Sequence, residues 1–512
     1  MKKLSHLQCA GYAKYENYID RRWSPLTNKT QFFLSQNPAN LKDVIGAFPE
    51  STEADLAQAI GAAKKAFPVW KKLGLVKRAE YFFKLARLIE DQIDELAWVV
   101  CRESGKQINE ARADVVEMLH MVQYDFAKSF LGVSGQLFDD EVSEKECMER
   151  LRPRGIVGCI SPWNFPMAIP LWEIGLALGF GNVVILKPSE ETPLCGHKIA
   201  ELIHQAGFPP GVFQLLQGRG ENIGWNLVRH PEVNSILFTG SYEVGAKIKV
   251  EVAKHYNKIC AIETGSKSAV IILKDAKIDK LAIPAAIASA FKTAGQRCVS
   301  AGRIIVAKER YKEVCEKMRA MAKTIKVGDP FDQDVFYGSM INEAGVAKGL
   351  AFNAMAKQEC FDILLDRNYE LTPEMRATGH WLMPFIYTGK WRSSSEALTN
   401  EAFSPHVAIT PVEDVDEAIH AYNDTRYGLS ASVITEDYKK MCHVRDNLEC
   451  GIFYWNLPCI GAGVRLSFGG LKASGNLIPS AAGILPAITH PQAITYNRGE
   501  EIVMAQGLSI KT

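Results

Sequence analysis

Apolar residues recur at helical spacing over EADLAQAIGAAKKAFPVW (53–70), a segment that ends near a proline. AEYFFKLARLIEDQIDELAWVVCRESG (79–105) keeps the same period for longer and predicts one long amphipathic helix, with Gly105 placed to cap it. A further helical pattern runs to about residue 126. Residues 130–152 are more polar and alternate, which predicts an excursion of strands.

From residue 155 the pattern changes to strand followed by helix. GIVGCI (155–160) is an apolar strand leading into SPWNFPM, and NVVILKPSEETPL (182–194) is a strand running into a polar loop and then a helix. VFQLLQG (212–218), SILFTGSYEVGAKI (235–248) and KICAIETGSKSAVIIL (258–273) continue the series. Val- and Ile-rich strands alternating with helices predict a mostly parallel sheet covered on both faces. The rhythm restarts with PAAIASAFKTAG as helix, GRIIVAKE as strand and YKEVCEKMRAMAKTI as helix, so a second α/β domain is expected to begin near 264. VGDPFDQDVFYGSM (327–340) reads as a long surface loop. The tail from HPQAITYN onward has little helical period, and is either disorder or a strand docked on a partner; its β-branched stretch argues against disorder.

Composition narrows the function classes. The 512 residues suffice for two or three domains, and 47% apolar with 23% charged content describes a compact soluble chain. With 59 basic and 58 acidic side chains, a nucleic-acid surface is not expected. The N-terminal MKKLSHLQ has no long apolar run behind it, so neither a signal peptide nor a membrane span is expected there. The twelve cysteines form no CxxC pair and no zinc-like cluster, which points to reduced thiols, a cytoplasmic setting and no metal.

Candidate chemistry sits in the loops after the strands. TGSYEVG (239–245) follows a strand and opens a helix; Gly240 and Ser241 either make a tight turn or present amides to a phosphate. In KPSE, Lys187 and Glu190 are either a solvated loop or contacts for a ribose and its phosphate. Both loops lie on the side where open parallel sheets bind ligands. Glu263, at an apolar strand end, must be paired, solvated or raised in pKa, and in the last case could serve as a base. Asn164, in SPWNFP, either caps the next helix or faces a developing negative charge. Cys298, in TAGQRCVSAGR, is flanked by small residues and preceded by Arg297.

Taken in order, SPWNFP, KPSEETP, LFTGSYEVG, IETGSK, TAGQRC, EAFSPH, YGLSASV and FGGLKASGN resemble the NAD(P)-dependent aldehyde dehydrogenase superfamily over almost the whole chain. The resemblance implies two open parallel-sheet α/β domains with a small β oligomerisation arm. The NAD-binding domain would span 1–127 and 149–262, the catalytic domain 263–455, and the arm 128–148 with 483–505. It implies Cys298 as nucleophile, Glu263 as general base and Asn164 as the side-chain half of the oxyanion site. Lys187 and Glu190 match the adenosine-ribose contacts and Ser241, beside Gly240, the pyrophosphate contact. Trp163 lines the same cleft, and Glu401 and Phe403 match the nicotinamide-side contacts. Glu190 leans the cofactor to NAD, with NADP accommodated if it moves.

Two departures stand out: IETGSK places Ser266 where the family often has glycine, and NEAFSP brings Asn400 and Ser404 into a loop often written EEIFGP. The stretch GIFYWNLPCIGAG…FGGLKASGN resembles the succinylglutamate-semialdehyde group and the tail the aminoadipate-semialdehyde group. Both groups act on semialdehydes that carry a carboxylate, for which Arg297 and Arg465 are candidate anchors. A broad-range aldehyde dehydrogenase, a pyrroline-5-carboxylate dehydrogenase and a CoA-acylating enzyme are the alternatives, with a non-catalytic nucleotide-binding protein disfavoured. The arm implies a homodimer or a dimer of dimers.

Overall fold

A computed structural model describes residues 12–24, 30–130, 135–461 and 463–502. Two seven-stranded sheets dominate it. The first runs, edge to edge, Ile259–Glu263, Val233–Thr239, Ile156–Ile160, Val183–Lys187, Phe213–Leu215, Asn17–Ile19 and Arg22–Ser24, with parallel pairings except for the last two, which are antiparallel. The second runs Asp362–Asp366, Phe385–Thr388, His406–Val412, Ala301–Ala307, Ser268–Ile272, Ser430–Ile434 and Ile452–Trp455, parallel except for its first strand. Central strands such as Val183–Lys187 and Ser268–Ile272 are buried at every position, as strands covered by helices on both faces must be. The fold is the two-sheet α/β architecture with a β arm that the motifs imply.

In the first sheet Ile156–Ile160 is flanked by Val233–Thr239 on one side and Val183–Lys187 on the other, so the strand order reverses at that point. A crevice opens beyond the carboxyl ends of strands at such a reversal. The loops that leave Ile160 and Thr239, carrying Trp163, Asn164, Gly240 and Ser241, therefore flank one crevice. The chain passes from the first sheet to the second between Glu263 and Ser268.

A three-stranded antiparallel sheet stands apart: Gly135–Phe138 and Thr489–Asn497 both pair with Lys145–Pro153. The tail is thus a strand docked within its own chain, and Leu137, Phe138 and Tyr496 are exposed on it. Residues 131–134 and 503–505 of the expected arm lie outside the described residues.

The remaining differences from the periodicity have local causes. The single helix expected over 79–105 is two, Leu75–Asp91 and Ile93–Ser104, broken at Gln92, whose φ is −118°. The second restarts with Asp94 and Glu95 in its first turn, where the helix dipole favours negative charge. Gly105 caps it at φ 70°, and a Cβ there would lie 2.0 Å from Ser339 Oγ. The hairpin of Phe32–Asn37 with Asn40–Pro49 has no counterpart in the strand pattern read from the sequence. Residues 327–340 are not simply surface, because Val335 is buried and Tyr337 and Met340 pack into the core beside the second sheet, with Val270, Ile304 and Ile386. No helix among the described residues is long and apolar enough to cross a membrane.

Candidate active site

The helix Ile283–Phe291 ends in a strained turn. Thr293, Ala294 and Gly295 are all left-handed, with φ of 54°, 53° and 69°. Two consecutive non-glycine residues in this region are costly and persist only where the surroundings enforce them. Here Glu110 enforces them: its carboxylate accepts from the Thr293 N–H at 3.0 Å and from the Thr293 hydroxyl at 3.0 Å. The Arg297 guanidinium closes the brace, donating to Glu110 at 2.6 Å and to Thr293 Oγ1 at 2.9 Å while lying over the Phe165 ring. Gly295 cannot be replaced in place, since a Cβ would stand 2.2 Å from the Ser404 carbonyl oxygen. Arg297 is thus committed to the loop that presents Cys298.

Cys298 follows, partly exposed, against a cluster that includes Phe165, Val299, Ile460 and Val464. Its carbonyl accepts a hydrogen bond from the Ser266 hydroxyl, which also meets Ser268 Oγ at 2.8 Å. The serine that departs from the family pattern therefore pins the backbone of the candidate nucleophile. Burial, with the nearby Glu401 and Glu263 carboxylates, pushes the Cys298 thiol up to about 12. At neutral pH it is a thiol, and forming the thiolate requires a base.

Glu263 ends its strand 3% exposed and accepts from the Gly470 N–H at 3.2 Å. Burial raises its carboxyl well above the usual carboxylate range; the Gly470 bond opposes this and Glu173 adds to it. Glu173 is itself fully enclosed, accepting from the Cys159 thiol at 2.8 Å and the Thr239 hydroxyl at 2.9 Å. Asn164 donates through Nδ2 to the Gln296 carbonyl at 3.0 Å, so it is tied to the cysteine loop. It does not cap the next helix, whose N-cap is Met167. A carboxamide has two N–H groups, and the Gln296 bond uses one.

Beyond the first sheet, Lys187 is buried and its Nζ donates to Glu190 at 2.8 Å. Burial works to raise Glu190, but the Lys187 ammonium outweighs it and holds the carboxyl below its usual range, ionised. Cβ atoms added at Gly220 and Gly224 would come no nearer than 3.7 Å to Lys187, which leaves space beside the pair. Ser241 caps the helix Tyr242–Val252, accepting from the Val244 N–H at 3.3 Å, and Gly240 donates to the Glu263 carbonyl at 3.0 Å. An ionised diol acceptor, a buried ammonium and a helix N-terminus at a strand-order reversal suit a dinucleotide.

On the other side, Glu401 accepts from the Ser266 N–H at 2.7 Å, and a Cβ at Gly265 would collide with its carboxylate at 2.2 Å. Phe403 is held at φ 54° with its ring edge-on to Trp163, centroids 5.6 Å apart. Lys267 anchors this loop from beneath, donating to the carbonyls of Ala397 at 2.9 Å and Asn400 at 2.6 Å, and burial lowers it to about 7. Arg465 stands exposed on the loop beside Val464 and makes no ion pair among the described residues. Glu110, Lys267 and Ser266 carry supporting roles that the motifs did not reveal. A charged residue directly after a small-residue turn, as Lys267 is, was the available signal.

The family model described as "Aldehyde dehydrogenase family" matches residues 25–493. The chain belongs to the aldehyde dehydrogenase family. Among relatives, it is 32% identical over 460 residues to an alpha-ketoglutaric semialdehyde dehydrogenase of Bacillus subtilis strain 168, covering 90% of this chain and 93% of that one. It is 32% identical over 465 residues to malonate-semialdehyde dehydrogenase 2 of Geobacillus kaustophilus strain HTA426, covering 91% and 94%. An NAD-dependent aldehyde dehydrogenase from Sinorhizobium meliloti superposes with a TM-score of 0.91 at 27% identity, covering 97% of each chain. In this aldehyde dehydrogenase the two departures leave the neighbourhood of Cys298 intact: Ser266 holds the Cys298 carbonyl, and Asn400 offers its carbonyl to Lys267.

Proposed function

We propose that this aldehyde dehydrogenase oxidises an aldehyde to a carboxylic acid through a covalent thioester on Cys298, with NAD as cofactor. The observation that carries this reading is the convergence on the cysteine loop of two buried carboxylates, Glu263 and Glu401, and one carboxamide, Asn164. The Cys298 sulfur forms a bond to the carbonyl carbon while Glu263 takes the thiol proton. The second N–H of Asn164 and the Cys298 amide receive the oxyanion. Lys187, Glu190, Gly240 and Ser241 would hold the adenosine and pyrophosphate end of NAD, and Trp163, Glu401 and Phe403 its nicotinamide end. Bound NAD would supply the acceptor for the hydride that leaves the carbon bonded to Cys298 as the oxyanion collapses to the thioester. Once Glu263 has released that proton to solvent, it deprotonates the water that attacks the thioester carbon, and the C–S bond breaks to return the Cys298 thiol, which favours acid over an acyl-CoA product. Glu190 supports NAD over NADP, because an ionised carboxylate accepts from a 2′-hydroxyl and repels a 2′-phosphate.

The semialdehyde relatives support a semialdehyde substrate. Within that class the motifs of 451–476 favour N-succinylglutamate 5-semialdehyde, with aminoadipate semialdehyde and pyrroline-5-carboxylate as the alternatives. Arg465 is the better placed of the two arginines to meet a substrate carboxylate, since Arg297 is held by Glu110. The exposed apolar residues of the arm support a homodimer or a dimer of dimers, which light scattering tests. The chemistry is tested by rapid mixing with aldehyde and NAD: the wild type gives a burst of NADH matching the active-site concentration, and Cys298→Ala gives neither burst nor turnover. Undiminished steady-state oxidation by Cys298→Ala would overturn the covalent route.

A further inference from the structure

A cleft apart from the Cys298 crevice opens on the second domain, with a cavity volume of about 420 Å³. Ile287, Ile325 and Val335 are buried in its walls, and Phe336 and the exposed Met321 complete the apolar lining. Two opposite charges line it as well, and neither makes an ion pair among the described residues. Lys292 follows the helix Ile283–Phe291; its Nζ donates to the Phe336 carbonyl at 3.3 Å and stands 4.2 Å from the centre of the Phe336 ring. An ammonium has three N–H groups, so two are left for a ligand. Asp334 is exposed on the loop that forms the other wall. The third charge of the lining, Lys326, is already matched by Asp332 at 2.7 Å. The helix Tyr311–Thr324 also ends here, and a helix C-terminus favours positive charge.

These charges select among ligands. An anion would satisfy Lys292 but would meet the Asp334 carboxylate and the helix C-terminus. A cation would leave Lys292 without a counter-charge. A zwitterion answers both ends, and the apolar walls suit an apolar side chain. We propose that this cleft binds a free amino acid with an apolar side chain, its carboxylate on Lys292, its ammonium toward Asp334 and its side chain against Ile287, Val335 and Phe336.

Both walls run into the cysteine loop. Lys292 is followed directly by the left-handed Thr293. Beyond Phe336 the chain reaches Ser339, whose carbonyl accepts from Gln296 Nε2 at 3.4 Å, and Ile341, whose N–H donates to Gln296 Oε1 at 3.0 Å. The Gln296 carbonyl in turn holds Asn164. An amino acid that bridges Lys292 and Asp334 ties together the two segments that meet at Gln296, without touching the aldehyde. Occupancy should therefore change kcat and leave the KM for aldehyde unaltered. The binding stands independently of the thioester reading, whereas its effect on kcat rests on that reading.

The test titrates the full-length enzyme, with NAD present, in a calorimeter with L-leucine, with 4-methylpentanoate (no ammonium) and with 3-methylbutylamine (no carboxylate). Leucine should saturate one site per chain, and each analogue should bind at least about tenfold more weakly, the worth of one charge-assisted contact. Lys292→Gln should weaken leucine about tenfold or more and leave 3-methylbutylamine unchanged. Asp334→Asn should weaken leucine and leave 4-methylpentanoate unchanged, a crossed pattern that misfolding does not produce. Leucine should also slow hydrogen exchange in peptides spanning 291–300 and 333–341, and Cys298→Ala should bind it as the wild type does. No saturable leucine binding, equal binding of the three ligands by the wild type, or competition between leucine and aldehyde would overturn the site. Leucine binding with unchanged kcat would overturn the coupling. Leucine binding as expected with no NADH burst from any aldehyde would sink the thioester reading and leave the site standing.

Discussion

Replacing Glu110 by alanine removes the brace from the cysteine loop, and the structure gives the scale of the effect. Thr293 and Ala294, as non-glycine residues in the left-handed region, each cost about 1–2 kcal/mol. Against this strain of roughly 2–4 kcal/mol, Glu110 sets three contacts to Thr293 and Arg297 in a site where its own side chain is 7% exposed and that of Arg297 13%. Removing one member of a buried ion pair costs about 3–5 kcal/mol, because the other charge is left without a partner. That exceeds the strain, so in Glu110→Ala the left-handed turn is no longer enforced. Expressed as local opening, 3–5 kcal/mol corresponds to roughly two to nearly four powers of ten. Hydrogen exchange followed by mass spectrometry over a peptide spanning 291–300 should show this acceleration, with kcat falling as Cys298 leaves its position. Exchange and kcat both equal to wild type would refute the reasoning and mean that the contacts from Ser404 and Ser266 suffice.

Other substitutions probe the remaining parts of the site. Glu263 must lose its proton to act as base, and its carboxyl is raised, so the rate of thioester hydrolysis should fall as pH drops through a midpoint well above 4.5; Glu263→Gln should be slower by about 10²-fold or more and lack that limb in single-turnover assays. Gly295→Ala places a Cβ against the Ser404 carbonyl at φ 69° and should lower both thermal stability and activity, whereas the same exchange at Gly61, where nothing lies within 4 Å of the added Cβ, should raise helix stability by about 1 kcal/mol. Glu190→Ser should raise kcat/KM for NADP and lower it for NAD, shifting their ratio by at least about tenfold in steady-state assays. Ser266→Gly removes the hydroxyl that holds the Cys298 carbonyl and should cost about 1 kcal/mol of stability in a melting curve.

Much of this was readable from the chain because the information is local. Val- and Ile-rich strands followed by polar loops announced two parallel sheets, and the loops themselves carried the residues that meet at the crevice. What escaped was set by contacts far apart in sequence. Glu110 looks like an ordinary acid in the first turn of a helix, yet it braces a residue 183 positions away. The commitment of Arg297 was invisible for the same reason: adjacency to Cys298 says nothing about where a long side chain ends. The break at Gln92 escaped because the apolar period continues across it, and the hairpin of Phe32–Asn37 with Asn40–Pro49 because its strands mix polar and apolar residues without clean alternation.

The crossing from one sheet to the other takes only Thr264, Gly265, Ser266 and Lys267. Glu263 belongs to the last strand of the first sheet, while Ser266 grips the carbonyl of Cys298 and Lys267 holds the loop that precedes Glu401. With so little slack, a rotation of one sheet against the other reaches the Cys298 thiol and the Glu263 carboxylate as a change of separation. The machine therefore has a tight mechanical tolerance: substitutions that alter how the two sheets seat against each other, however remote, should register first as a loss of rate and only later as a loss of fold.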